Sequence, residues 1–205
     1  MADDSLLMKA LSLAVDVDVA STKSYVAELR KAHPGKSKAE LAAVLFSQAS
    51  WRAMGQGVLF GLPSNPFVAI PAALADAAAM LRLEVVAAAR TALLYDEGFF
   101  DEEDAAWELL VPVFGLGAVS QLLREAGVRA SMGVTRQLIK RYLSKEALKA
   151  FQRAMLRIFG LRVTQRAVIT KSLPVVGAVI GGGWNWLELR LLRGRCVGYF
   201  EGRAL

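Results

Sequence analysis

The feature that most constrains the fold is an alanine-rich segment, residues 71–95, that is apolar on almost every side when arranged as a helix. Pro71 suits a first helical position, because the N–H that proline lacks has no intrahelical partner there. A helix that is apolar all round has to be surrounded by other elements, since none of its sides favours water. The segment therefore predicts a buried central helix that ends near Tyr95.

Helical signals also dominate the N-terminal part of the chain. Apolar spacing predicts helix over about 5–32 with a break near 16–22, and the His-Pro-Gly sequence that follows supplies stop signals. Ser37 and Glu40 have the spacing of a capping box, in which each side chain accepts a hydrogen bond from the backbone N–H of the other. They open a helix predicted over about 37–54.

Further helices are predicted after the central one. Four carboxylates at 101–104 suit a helix start, where free N–H groups favour negative charge, and Pro112 with Gly115 predicts a break in that helix. The sequence as a whole predicts an all-α fold, a single compact domain of six to nine helices in which residues 1–36 and 37–205 form one structural unit. The remaining predicted helices cover 117–126, 130–142, 144–159 (stopped by Gly160), 162–172 and 174–203, the last with an interruption at 181–183.

Composition restricts the chemistry that the protein can perform. The 205 residues include one cysteine, Cys196, and one histidine, His33, so neither a disulfide framework nor a histidine-rich metal site is expected. Cys196 is expected to be a small buried side chain, and His33 a helix C-terminal cap. We predict no catalytic residue set, no metal site and no cofactor.

A membrane span and a secretory signal are not predicted. The longest charge-free window, 53–75, contains three glycines and three prolines and cannot form one continuous helix. The next window, 172–187, is about 24 Å long as a helix, less than the ~30 Å of a hydrocarbon core. The acidic residues at 3–4 differ from the basic start of a secretory signal. We expect a cytoplasmic protein, peripheral at the inner membrane if it binds lipid.

Charge is divided unequally along the chain. Residues 1–110 carry 9 Lys and Arg against 15 Asp and Glu, whereas residues 111–205 carry 16 against 4, so the halves balance at −6 and +12. Such a split is typical of a protein with an anionic partner, either nucleic acid or lipid headgroups. Attraction between the two halves inside the fold explains it equally well.

Two stretches resemble the EcsC family of bacterial proteins. The first is Gly61-Leu62-Pro63 followed by the apolar helix over 72–95, and the second runs from Lys171 to Gly182, followed by Asn185 and by Gly198-Tyr199-Phe200. The resemblance covers most of the chain and implies a helical fold. The founding member of that family is encoded beside the ATPase and membrane subunits of an ABC transporter. The resemblance therefore implies a transport-associated role, and it supplies no agreed catalytic residues.

The sharpest local pattern is a basic amphipathic helix over 144–159. Its Lys and Arg residues recur every four positions and share one arc, whereas apolar residues occupy the opposite arc. Such a face can bind anionic lipid, the phosphates of nucleic acid or an acidic protein, and it can equally be an ordinary solvated helix face. The predicted anionic-surface residues are Lys140, Arg141, Lys145, Lys149, Arg153, Arg157, Arg162 and Arg166.

Small residues spaced four apart in the last helix allow another helix to approach closely. We predict that they pack inside the domain or in a homodimer. Trp184 and Trp186 are expected to pack in the core or at its rim, with interfacial anchoring as the alternative. The predicted packing glycines are Gly177, Gly181, Gly194, Gly198 and Gly202.

Asp76 and Glu84 of the central helix are the remaining candidates for chemistry. They lie eight residues apart, within about 80° on a helix, and a buried carboxylate pair can hold a proton or a metal. An enzyme built on these two residues is one alternative function, and nucleic-acid binding by the basic half is another. The leading hypothesis is a non-enzymatic protein at the inner face of the bacterial membrane. Its basic segment, 140–171, would bind anionic lipid or a membrane protein such as a transporter.

Overall fold

The computed structural model describes residues 4–60, 66–102, 105–115, 117, 119, 153, 155–161 and 176–202, and every regular element among them is helical. The all-α prediction is confirmed. The α-helices whose two ends are both described are, in chain order, α1 (Asp4–Val15), α2 (Val19–Ala32), α3 (Lys38–Phe60), α4 (Pro66–Tyr95), α5 (Ala105–Glu108), α6 (Leu110–Phe114) and α7 (Val176–Glu201), and a 3₁₀ helix, Phe99–Asp101, lies between α4 and α5.

A three-residue break separates α1 from α2, inside the range where a break was predicted. Asp18 caps the start of α2: its Oδ1 accepts from the Ser21 N–H at 3.0 Å, and its carbonyl accepts from the Thr22 hydroxyl at 2.7 Å. At the predicted end of α2, the backbone N–H of His33 bonds to the Leu29 carbonyl at 3.1 Å. The Asp18 side chain thus fixes the start of α2, and a backbone hydrogen bond from His33 closes its end.

The capping box at the start of α3 is present as predicted. Glu40 Oε2 accepts from the Ser37 N–H at 2.8 Å and from the Ser37 hydroxyl at 2.7 Å, and that hydroxyl accepts from the Glu40 N–H at 3.3 Å. These hydrogen bonds lower the pKa of Glu40. The helix continues to Phe60, beyond the predicted end near 54, and α7 packs along it.

The central helix, α4, begins at Pro66 rather than at Pro71, and it ends at Tyr95 as predicted. Pro66 takes the first position, where the missing N–H costs nothing. Five helices pack against α4, namely α1, α2, α3, α6 and α7, so the prediction that it is buried is confirmed. Its buried apolar residues are Ala77, Met80, Leu81, Val85, Ala87, Ala88, Ala89, Ala92, Leu93 and Leu94.

Cations from α2 and α3 bind the carbonyl end of α4. Arg30 Nη2 donates to the Leu93 and Leu94 carbonyls at 3.4 and 3.3 Å, and Lys38 Nζ donates to the Tyr95 carbonyl at 3.2 Å. The last carbonyls of a helix lack intrahelical donors and carry partial negative charge. These contacts therefore satisfy them and join three helices at one point.

Of the two predicted break points, Gly115 is confirmed as the C-cap of α6, whereas Pro112 lies inside α6 and the division between α5 and α6 falls at Leu109. The backbone of Gly115 has φ +92°, in the region that favours glycine. Its N–H bonds to the Val111 carbonyl at 2.8 Å and closes the last turn of α6.

The last helix, α7, runs unbroken from Val176 to Glu201, so the predicted interruption at 181–183 is wrong. A glycine inside a helix costs about 1 kcal/mol relative to alanine. The packing of α7 along α3, and also against α4 and α6, outweighs that cost.

The helix stop predicted at Gly160 is also wrong, because residues 155–161 are all helical. The predicted helices over 130–142 and 162–172 lie outside the described residues, as does that over 117–126 apart from 117 and 119.

Alanine substitution of two glycines should change stability in opposite directions. Gly115→Ala places a Cβ on a backbone with positive φ and should lower the free energy of unfolding by more than about 1 kcal/mol. Gly55→Ala, in the exposed part of α3 where a Cβ meets nothing within 4 Å, should raise it by about 0.5 kcal/mol. Urea unfolding followed by circular dichroism measures both, and two changes of the same sign would contradict the backbone description.

Candidate functional site

The basic face predicted for the C-terminal half is partly visible in the structure. Arg153 and Arg157 are both exposed, on a helical segment whose opposite side is buried at Met155 and Phe159. The amphipathic arrangement predicted for these positions is therefore present. The other predicted binding cations lie outside the described residues, and they are Lys140, Arg141, Lys145, Lys149, Arg162 and Arg166.

Leu161 extends this exposed face and was missed by sequence reasoning. Its side chain is 65% exposed, and it lies four residues after Arg157, so it shares the arc of Arg153 and Arg157 within about 80°. The signal that could have found it is the four-residue spacing itself, which continues past Gly160. We call Arg153, Arg157 and Leu161 the basic face.

Two arginines of α7 bind groups other than carboxylates of the acidic half. The Arg195 Nη1 donates to the Val113 carbonyl at 2.9 Å, and the Arg190 guanidinium lies over the Trp186 ring, 4.3 Å from its centroid. The ion pair between Arg30 and Glu97, by contrast, joins two residues of the first half. None of these contacts pairs a cation of the second half with a carboxylate of the first.

The two carboxylates singled out on the central helix lie in different surroundings. Glu84 is completely buried, whereas Asp76 is half-buried. Eight residues of helix separate them by about 12 Å along the axis, too far for both to bind one metal ion. The charge of Glu84 contributes to raising the pKa of Cys196 in α7. The structure thus does not bring Asp76 and Glu84 together into one site.

A second buried carboxylate, Glu108, was missed by sequence reasoning. It is 1% exposed, and its Oε1 accepts a hydrogen bond of 2.9 Å from the buried Tyr199 hydroxyl of α7. A hydrogen bond to a carboxylate compensates for part of the cost of burying it. The signal in the sequence is a single carboxylate within the apolar run 105–114.

The cysteine and the histidine have structural environments. Cys196 is completely buried, and burial raises the pKa of its thiol far above the ordinary value; the Glu84 carboxylate raises it further, while Arg195 acts in the opposite sense. A neutral, enclosed thiol is a poor nucleophile. His33 is half-buried at the C-cap of α2, as predicted.

The glycines of α7 do not all contact another helix. A Cβ built on Gly194 or Gly198 would meet nothing within 4 Å, and the Cβ of Gly202 would meet only backbone carbonyls of α7 itself. These three glycines therefore make no close helix contact with the described part of the chain, and their packing inside the domain or in a homodimer stays a prediction. Gly177 and Gly181 lie in the first two turns of α7.

Large apolar side chains of α7 are exposed beside these glycines. Trp184 is 56% exposed, Leu187 45% and Leu191 62%. Trp184 therefore lies outside the core, which leaves the predicted rim position, whereas Trp186 is half-buried under Arg190. The exposed tryptophan and leucines leave an apolar face of α7 open to a partner.

The described residues place limits on metal binding and membrane crossing. Among them, no group of three His, Cys, Asp or Glu side chains is arranged to bind a metal ion. None of the helices in this part of the chain is both long and apolar enough to cross a membrane.

Comparison with known proteins identifies no relative. No family model matches the chain, and no curated protein or solved structure is detectably similar to it. The resemblance to the EcsC family remains a prediction that depends on the residues quoted above.

Removal of the buried Tyr199 hydroxyl should destabilise the folded protein. Tyr199→Phe leaves the Glu108 carboxylate without its 2.9 Å donor and should lower the free energy of unfolding by about 2 kcal/mol. Tyr25→Phe is the matched control, because the Tyr25 hydroxyl donates to Gln48 at the surface, and it should cost about 0.5 kcal/mol or less. Equal losses in urea titrations would show that burial adds nothing to the Tyr199 hydrogen bond.

The Cys196 thiol should be inert in the folded protein. Its raised pKa and complete burial leave neither thiolate nor access for an alkylating reagent. Iodoacetamide at neutral pH should therefore modify it only as fast as the protein unfolds. Ser24→Cys, on the exposed side of α2, supplies an accessible thiol for comparison. Modification of both thiols at one rate would disprove the burial.

Proposed function

We propose that this protein is a peripheral membrane protein of the bacterial cytoplasm that binds anionic lipid through its basic face. The observation that carries the proposal is the combination of Arg153 and Arg157 with Leu161 on one exposed arc, while Met155 and Phe159 hold the helix in the core. Cations beside an exposed apolar side chain combine attraction to anionic headgroups with apolar surface that can enter the membrane interface.

Approximate energies support a reversible attachment. Each Lys or Arg near an anionic surface contributes about 1 kcal/mol, so Arg153 and Arg157 supply about 2 kcal/mol. Complete burial of a leucine contributes about 1.5–3 kcal/mol. Leu161 can gain the share of this energy that corresponds to its exposed surface. Stable attachment needs two kinds of signal, and the basic face offers both charge and apolar surface.

The alternatives receive less support from the geometry. A nucleic-acid surface needs cations that bind phosphates. The exposed Leu161 of the basic face would not contribute to such binding. An enzyme built on Asp76 and Glu84 would require two carboxylates about 12 Å apart along a helix to act on one group. The EcsC resemblance, with its link to an ABC transporter, supports a membrane setting, and a transporter subunit is the second candidate partner.

Vesicle sedimentation of the full chain tests the lipid proposal. The protein should bind vesicles containing phosphatidylglycerol and not neutral phosphatidylcholine vesicles, and salt should weaken the binding. Arg153→Glu with Arg157→Glu removes two attractive charges and should weaken binding by about 30-fold or more.

A charge-matched control distinguishes vesicle binding by the basic face from a general effect of the protein's net charge. Lys23→Glu with Lys31→Glu reverses two exposed cations of α2 and should leave vesicle binding nearly unchanged. Equal binding to both kinds of vesicle, or equal losses in the two double variants, would rule out the basic face as a lipid site. Binding to duplex DNA that the Arg153 and Arg157 changes abolish, without binding to vesicles, would favour nucleic acid instead.

A further inference from the structure

The exposed face of α7 is a continuous stripe separate in sequence from the basic face. Trp184, Leu187 and Leu191 are spaced three and four residues apart, which places them within about 60° of arc. Gly194 and Gly198 continue the same arc, so the stripe from Trp184 to Gly198 is about 21 Å long. We call these five residues the α7 stripe.

The α7 stripe is uncovered by the rest of the described chain. Its three large side chains are 45–62% exposed, and a Cβ at either Gly194 or Gly198 would meet no atom within 4 Å. Contiguous exposed apolar surface of this kind marks an interaction site in soluble proteins.

The order of large and small residues makes the stripe complementary to itself. Trp184 lies seven residues before Leu191 and Gly198 seven residues after it, about 10 Å along the helix in each direction. If two copies of α7 cross antiparallel with Leu191 on the two-fold axis, the Trp184 ring of each copy lies opposite Gly198 of the other. The bulkiest residue thereby meets the position with the most space.

Charges at the edge of the stripe agree with the antiparallel arrangement. Glu188 and Arg195 flank the same edge, three residues before and four residues after Leu191. In an antiparallel pair like edges face each other, so Glu188 of each copy, whose carboxylate can accept several hydrogen bonds at once, comes opposite Arg195 of the other. Arg195 already donates to the Val113 carbonyl through Nη1, and a guanidinium has five N–H donors in all. A parallel pair would instead set the two Trp184 rings against each other.

We propose that the α7 stripe binds a second copy of this chain, with the two α7 helices antiparallel about an axis at Leu191. The contact is isologous, as in most homodimers, and it leaves the basic face of each copy to act independently. Dimerisation would double the number of basic faces on one particle, which increases avidity for a surface that carries many anionic headgroups.

Sedimentation equilibrium of the full chain tests the dimer. Leu191→Glu brings two carboxylates together at the axis and should weaken association by about 30-fold or more. Leu161→Glu is the matched control, since Leu161 is 65% exposed and Leu191 62%, and it should leave association unchanged while reducing vesicle binding. Circular dichroism verifies that both variants fold. A monomer at every concentration, or a dimer that Leu191→Glu does not weaken, overturns the proposal.

Cysteine cross-linking tests the geometry, because native Cys196 is buried. Mixing the Trp184→Cys protein with the Gly198→Cys protein and oxidising with diamide should give mainly the mixed disulfide. Disulfides between two Trp184→Cys chains would show a parallel pair and overturn the antiparallel axis. Vesicle binding that is lost in Leu191→Glu but kept in Leu161→Glu, with a monomeric parent protein, would assign the stripe to lipid instead of a second copy.

Discussion

The structure depends on one constraint, which is that α4 has no side that favours water. Its alanines allow neighbouring helices to come close, and five helices pack against it. The backbone at its C-terminal end still needs donors, and Arg30 and Lys38 supply them from α2 and α3. Burial of the apolar surface therefore provides the driving force, while these two cations help to set where the surrounding helices lie.

Polar contacts then determine how α7 is rotated about its own axis. Asn185 hydrogen-bonds a carbonyl of α3, Arg195 one of α6, and Tyr199 the Glu108 carboxylate of α5. Rotation of the helix by one position would leave these groups buried without partners, at a cost of about 1–3 kcal/mol each. The same contacts keep Leu191 on the outside. The exposed stripe is thus a consequence of polar satisfaction inside the core.

Local chemistry made several boundaries predictable. The hydroxyl of Ser37 and the carboxylate of Glu40 satisfy N–H groups within one turn, so their effect needs no tertiary structure, and Gly115 ends α6 for a similarly local reason. The helix boundaries that failed were predicted from propensity alone. Pro71 and Gly160 were taken as boundaries, yet both lie inside helices, because packing supplies more free energy than one unfavourable residue costs.

The sequence by itself determined that the protein is helical, that its alanine-rich segment is buried, and that Arg153 and Arg157 share a face, because each of these follows from spacing along a single helix. Only the tertiary structure decided that Glu84 is buried, that Glu108 accepts a hydrogen bond from Tyr199 of α7, and that Trp184 faces outward. The apolar residues of α7 are distributed around most of its circumference, so periodicity could not indicate which side is buried. The helices that pack against α7 determine which of its sides is buried.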